Sequence, residues 1–151
     1  MRRMDIAVYD RNQQLILAVE IKKLFGVSKK KAATLRRDLR AHSFYPKTTF
    51  FLLVTPEKFF LWRDENNSLE ETLPDYEESA SDILKPYFDR VGVLPEQLNE
   101  AELEMLVANW LNDVLFPIES GNLPKWLVES GLAQALYNGK YKFDDLYEVA
   151  V

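Results

Sequence analysis

Two short apolar stretches joined by a polar turn near the N-terminus constrain the fold of this chain more than any other feature. Residues 4–10 (MDIAVYD) and 15–22 (LILAVEIK) are rich in β-branched and apolar side chains, whereas residues 11–14 between them are polar. This pattern predicts a β-hairpin. We place the turn at Asn12 and Gln13, because asparagine tolerates the positive φ that a tight turn requires.

The predicted register brings two carboxylates together. With the turn centred on Asn12 and Gln13, Asp5 lies directly opposite Glu20, and opposed Cβ atoms are about 5 Å apart. Two like charges at that distance repel, so the pair calls for a cation or a shared proton. Lys22 shares the face of Glu20 because side chains alternate along a strand. The structural alternative is an ion pair between Glu20 and Lys22 on an edge strand.

At these residues the chain resembles the PD-(D/E)xK nuclease superfamily, whose signature is an aspartate on one strand and Glu-x-Lys on the next. The resemblance implies a restriction endonuclease-like fold and a metal-dependent DNA endonuclease that hydrolyses phosphodiester bonds. By that resemblance, Asp5, Glu20 and the backbone carbonyl of Ile21 would hold Mg²⁺, or Mn²⁺ in its place, and Lys22 would activate the attacking water. Carboxylate oxygens suit Mg²⁺, and an ammonium group nearby favours hydroxide.

The resemblance extends over about forty further residues, but the chain departs from the family pattern at its N-terminus. The family core runs helix, three strands, helix, strand, whereas only four residues precede Asp5. We therefore expect an N-terminally truncated core, unless another chain or the C-terminal half supplies the missing helix and strand. A strand without its neighbour exposes unpaired backbone groups, so a homodimer through this edge, or through the C-terminal helices, is also expected. The alternative functions are a catalytically inactive binding or assembly module with the same fold and a helical interaction protein.

Charge is distributed very unevenly along the chain. The net charge is −5, but residues 1–63 carry 14 Lys and Arg against 5 Asp and Glu, and residues 64–151 carry 5 against 19. A polyanion such as DNA is therefore expected to bind the N-terminal part. The candidate phosphate contacts are the cations that follow the motif: Lys23, Lys29, Lys30, Arg36, Arg37 and Arg40.

The residues after the motif predict the remainder of a mixed sheet. Helical spacing indicates a helix from Lys29 to about His42, with Ser28 as its N-cap. An apolar run at 49–54 and a second strand ending at Arg63 follow it. The strand, helix, strand order implies a right-handed crossover and a parallel pair of strands.

The predicted fold class is α/β (α+β), a mixed sheet with additional C-terminal helices in one structural domain. Residues 1–63 form the nuclease-like core, 64–75 are a polar connector, and 76–151 form a helical part packed on the core. In that last part Pro86 is expected to interrupt one helix, and a single helix is expected from Pro124 to Asn138.

Composition excludes several classes of site. The chain has no cysteine, so it has neither disulfides nor thiolate zinc ligands. No apolar run approaches the ~18 residues that span a bilayer, and no signal peptide is evident. We therefore expect a cytoplasmic protein that does not bind membranes.

Overall fold

The structure, a computed structural model, describes residues 4–41, 47–63, 71–117 and 123–143. Its strands are β1 (Ile6–Tyr9), β2 (Leu15–Ile21), β3 (Phe50–Val54), β4 (Lys58–Arg63), β5 (Tyr76–Ser79) and β6 (Lys140–Phe143). Its helices are α1 (Lys29–Ala41), α2 (Ala80–Val91), α3 (Glu100–Leu115), α4 (Lys125–Glu129) and α5 (Leu132–Leu136), with a 3-10 turn at Pro95–Gln97. The six strands form one mixed sheet in the order β5-β4-β3-β2-β1-β6.

Helices cover both faces of the sheet, so the protein is a mixed α/β structure. Along β2, Leu17, Val19 and Ile21 point into the larger core, which is closed by α2, α3, α4 and α5. Ala18 points to the opposite face, into a smaller core that α1 closes through Ala32. The alternation of side chains along a strand therefore divides the sheet into two separate apolar layers. None of the helices among the described residues is long and apolar enough to cross a membrane.

The predicted hairpin is present, with its central register as expected. Ala7 pairs with Ala18, but Tyr9 pairs with Leu15 instead of Ile16, because the register shifts between Val8 and Tyr9. A shift of one residue moves a side chain to the other face of the sheet. The number of residues between this bulge and the motif therefore decides on which face the motif side chains lie.

The turn differs from the predicted one in the residue that takes the positive φ. Gln13 has φ 65°, and the backbone N–H of Asp10 donates to the carbonyl of Gln14 at 2.9 Å. The Asp10 carboxylate accepts hydrogen bonds from the N–H groups of Asn12 and Gln14, both at 2.9 Å. The loop is thus three residues long and held by an aspartate side chain, and the prediction that Asn12 supplies the left-handed conformation is wrong.

The helix between β2 and β3 and the parallel pairing of these two strands are as predicted. Ser28 caps α1, since its hydroxyl accepts a hydrogen bond from the N–H of Lys31 at 3.1 Å. β3 pairs parallel with β2, and β4 returns antiparallel to β3 after a turn at Thr55. The predicted helix end at His42 and residues 64–70 of the predicted connector lie outside the described residues.

The sequence predicted a helical C-terminal part, but this part also contains strands. It supplies β5 and β6 to the two edges of the sheet. Pro86 does not interrupt α2, because Leu84 and Phe88 on either side of it are buried in the larger core and outweigh the lost backbone hydrogen bond. The predicted single helix after Pro124 is instead two short ones, broken at Gly131, which has φ 84°.

Three aromatic rings join the helices to the sheet. The indole rings of Trp110 on α3 and Trp126 on α4 are stacked, with centroids 6.1 Å apart and planes at 16°. The ring of Phe59 on β4 meets Trp110 edge-on at 5.1 Å. α2 is tied to α3 by a hydrogen bond from the Tyr87 hydroxyl to Asp113, and burial together with that carboxylate raises the pKa of Tyr87.

β6 lies beside β1 and pairs with it along its whole length, antiparallel, from Ile6 opposite Phe143 to Tyr9 opposite Lys140. The expectation that β1 would be left without a neighbour is therefore wrong. The neighbour comes from the C-terminal half, which is one of the alternatives that the sequence left open.

Gly139, at the start of β6, sets how closely the two strands approach. A Cβ atom there would overlap the carbonyl oxygen of Tyr9 and lie 3.0 Å from that of Leu136. We expect Gly139→Ala to lower the free energy of unfolding by about 2–3 kcal/mol, because β6 must move away from β1.

The matched control for that substitution is Gly92→Ala. A Cβ at Gly92 meets nothing within 4 Å, so only its positive φ of 71° adds a cost, of about 1 kcal/mol. Urea denaturation of the two variants compares them directly. Equal destabilisation would show that the contact between Gly139 and Tyr9 does not hold β6 in place.

Candidate functional site

A cavity of about 270 Å³ lies where β2 ends. One wall is the hairpin and the other is the first turns of α3. Its lining residues are Asp5, Ile21, Lys22, Glu100, Ala101 and Glu104. The structure thus brings together three of the four motif residues, while Glu20 is not part of this lining.

Asp5 is held by the backbone of β2. Its N–H donates to the carbonyl of Val19 at 3.1 Å, although Val19 already pairs with Ile6. Its Oδ2 atom accepts a hydrogen bond from the N–H of Ile21 at 2.6 Å. The backbone therefore does not form the predicted pairing of Asp5 with Glu20. An offset of this kind re-aims a side chain, and here the carboxylate is turned towards the end of β2.

A second observation agrees with that offset. Met4 and Ala7 both belong to the smaller core under α1, although residues three apart on a regular strand point to opposite faces. The chain is thus irregular between them, at Asp5, which precedes the first residue of β1. Local hydrophobic alternation from Ile6 onward gives no sign of this irregularity, so the sequence could not reveal it.

Glu20 leaves the sheet on the side of α1. It is only 4% exposed, it pairs with Leu53 of β3, and it shares the face of Ala18. Among the described residues the buried charged side chains are Glu20, Arg36 and Arg40. α1, which carries both buried arginines, covers the same face of the sheet on which Glu20 lies.

Arg36 and Arg40 were predicted to contact phosphates, but both are buried, at 2% and 9% exposed. The guanidinium carbon of Arg36 lies 5.3 Å from the ring centroid of Trp62 and 5.9 Å from that of Phe51. A planar guanidinium packs favourably on aromatic faces, which explains how the inner face of α1 accommodates arginine. The signal in the sequence is the spacing of Arg36 from Ala32, four residues earlier on the buried side of the helix.

The other predicted cations remain at the surface. Lys23, Lys29 and Lys30 are exposed. Arg37 is half-buried and bonded to Asp38 at 3.1 Å, with Glu71 3.9 Å away. Lys29 and Lys30 open α1, where the helix dipole is unfavourable for cations and favourable for an anion bound next to them.

No role at the site was predicted for α3. An Asn99–Glu102 capping box fixes its start, with the Asn99 carboxamide oxygen 2.8 Å from the N–H of Glu102. Glu100 and Glu104 then face the hairpin across the cavity, and Glu100 Oε1 accepts a hydrogen bond from the N–H of Lys23 at 3.3 Å. The capping box and its acidic first turn were visible in the sequence, but nothing local connects them to Asp5.

The donor set at the cavity is compatible with a hard divalent cation. Asp5 offers a carboxylate oxygen and Ile21 a backbone carbonyl, and Mg²⁺ in proteins commonly takes one or two carboxylates and keeps several waters. Within the described ranges no group of three or more His, Cys, Asp or Glu side chains is arranged to hold a metal ion. The predicted roles of Asp5, Glu20, Ile21 and Lys22 therefore remain predictions.

Three comparisons with known proteins identified no relative of this chain. No protein-family model matches this chain, and no curated protein or solved structure is significantly similar to it.

Proposed function

We propose that this chain is a metal-dependent DNA endonuclease-like phosphodiesterase of the PD-(D/E)xK type, with its site in the cavity between the hairpin and α3. One observation carries the proposal: Asp5, Ile21 and Lys22 line the same cavity, and the N–H of Ile21 fixes the Asp5 carboxylate at 2.6 Å. A fixed carboxylate beside residues that carry a backbone carbonyl and an ammonium group supports a site for metal-assisted hydrolysis.

The arrangement of strands supports the proposal. β6, β1 and β2 are successive antiparallel neighbours, and α1 then crosses over to β3, which is parallel to β2. A restriction endonuclease-like core has three such strands before its crossover helix. We infer that β6 takes the place of the first strand and that α3, which contacts β6, takes the place of the first helix. The core would then be complete but permuted.

The proposed chemistry assigns a role to each group. Mg²⁺, held by Asp5 and the carbonyl of Ile21, would lower the pKa of a bound water. Asp5 is orientated by its backbone hydrogen bond. The Lys22 ammonium stabilises hydroxide and the negative charge that develops on the phosphoryl oxygens. Exposed Lys23, Lys29 and Lys30 would bind the DNA backbone, so affinity falls as salt rises.

A second candidate, a nuclease-fold binding or assembly module without catalysis, is favoured by the position of Glu20. A metal-ligating glutamate must face the ion, whereas Glu20 is buried on the side of α1 and does not line the cavity. In this candidate function the buried carboxylate of Glu20 and the buried arginines of α1 balance charge inside the protein. A module of this kind has the same fold and the same exposed lysines but does not hydrolyse DNA.

Nicking of supercoiled plasmid by Lys22→Met tests the proposed function. We expect the wild-type protein to nick DNA with Mg²⁺ or Mn²⁺ and not with EDTA, and Lys22→Met to be slower by about 100-fold or more, because the ammonium acts on the transition state. The control is Lys85→Met on the exposed side of α2, where Lys85 pairs with Asp89 at 3.0 Å.

Each outcome favours one candidate. Equal rates for Lys22→Met and Lys85→Met would remove Lys22 from the site. Retention of DNA at low salt without nicking under any divalent ion would support the binding module instead.

A further inference from the structure

The segment between β2 and α1 presents two large apolar side chains to solvent. Leu24 is 39% exposed and Phe25 is 53% exposed. The backbone on either side is held by carboxylates: Glu100 accepts from the N–H of Lys23 at 3.3 Å, and Glu57 accepts from the N–H of Gly26 at 2.6 Å. The exposed ring is therefore presented by a braced segment, which reduces the entropy lost when a partner binds it.

A cavity of about 580 Å³ that is widely open to solvent has Phe25 in its lining. This volume lies within the range of small-molecule pockets. The ring of Phe25 and the prolines Pro56 and Pro95 supply apolar surfaces. Three oxygen-bearing side chains supply hydrogen-bond acceptors: Glu57, Ser81 and Glu96. Flat apolar surfaces combined with acceptors match the two features of a nucleobase, its π-face and its amino or imino edge.

Each cavity has one lysine in its lining: Lys22 in the motif cavity, and Lys58, which is paired with Glu77 at 3.1 Å, in the cavity beside Phe25. Residues 22–31 contain five lysines. The carboxylates of Glu57 and Glu96 disfavour a phosphate inside the cavity, whereas the lysines favour phosphates around it. The charge pattern thus suits a strand whose base enters the cavity while its backbone stays outside.

We propose that the cavity beside Phe25 takes an unpaired nucleobase of the substrate strand, stacked on the Phe25 ring, so that the substrate class is DNA with unpaired bases. The inference rests on the proposed function, since it takes DNA as the partner. Lys22 and Phe25 are three residues apart, which limits their Cα separation to about 11 Å. The captured base therefore belongs to a nucleotide close to the phosphate at the motif cavity. Bases within continuous duplex are stacked and paired, and cannot enter without being flipped out.

Binding of short DNA to Phe25→Ala tests this inference. Fluorescence anisotropy in EDTA, where no metal-dependent cutting occurs, compares a labelled single strand with the matching duplex. We expect Phe25→Ala to weaken single-strand binding about tenfold, the scale of one base-aromatic stack, and to change duplex binding less than twofold. Phe25→Tyr keeps the ring and is expected to retain single-strand affinity.

The matched control is Phe116→Ala, since Phe116 is also an exposed phenylalanine, 51% exposed, at the end of α3. If Phe25→Ala and Phe116→Ala bind single strands equally well, the inference is overturned. Nicking that does not depend on Phe25, with equal affinity for single strand and duplex, would leave the proposed function intact and reject the base cavity. Phe25-dependent binding of single strands without nicking would support the cavity and reject the enzyme.

Discussion

Asp5→Asn is expected to reduce metal-dependent nicking of supercoiled DNA by at least about 100-fold, because it removes a negatively charged ligand worth several kcal/mol to a metal-stabilised transition state. The asparagine oxygen can still accept the hydrogen bond from the N–H of Ile21, so the hairpin should fold as before. Nicking rates and calorimetric titration with Mn²⁺ measure the two effects separately. The control is Asp89→Asn on the exposed surface of α2, which should be neutral in both.

Glu20→Gln, measured beside Asp5→Asn, separates the two candidate functions. If Glu20 is a metal ligand, its variant loses nicking and Mn²⁺ binding to the same extent as Asp5→Asn. If Glu20 serves the interior opposite Arg36 and Arg40, the variant instead loses stability while Mn²⁺ binding is kept. A wild-type nicking rate in Asp5→Asn would remove Asp5 from the site altogether.

Trp110→Ala is expected to lower the free energy of unfolding by about 3–5 kcal/mol. The Trp110 indole is 5% exposed and contacts both Trp126 and Phe59, so its removal leaves a cavity where α3, α4 and β4 meet. A loss of this size is a large fraction of the stability of an ordinary domain. Urea denaturation followed by circular dichroism measures it.

The control for Trp110→Ala is again the exposed aromatic residue that caps the C-terminus of the same helix. Phe116→Ala removes a side chain that is 51% exposed and should cost less than about 0.5 kcal/mol. Similar midpoints for the two variants would show that the stacked rings do not hold α3 and α4 to the sheet.

The elements that were predictable have a clear local pattern of side chains or a clear signal at one end. β2 is rich in apolar and β-branched residues, α1 begins at a serine cap, and β3 is an unbroken apolar run. The types of these elements and the parallel pairing of β2 with β3 therefore followed from the sequence. β5 and β6 were missed because their four residues include several polar side chains, whereas β1 has the same length but is mostly apolar. Gly131 was not recognised as a helix break because a glycine inside a helical pattern is often tolerated.

The candidate site was predictable in its residue types but not in its geometry. The motif identified Asp5, Ile21 and Lys22, which do line one cavity. The direction of Asp5 depends on a one-residue offset in backbone pairing, and the contribution of Glu100 depends on a contact across 77 positions of chain. Neither leaves a trace in local sequence. The inward position of Arg36 was missed because charge was taken as a sign of exposure.

The pairing of β1 with β6 has a consequence for biosynthesis. Ile6 meets Phe143, 137 positions further along the chain, so this half of the sheet has very high contact order and closes late. A nascent polypeptide emerging from the ribosome carries the acidic motif and its lysines long before α3 and β6 have been translated. The cavity between the hairpin and α3 therefore cannot form until α3 has been translated, and the edge of β1 stays open until β6 has followed.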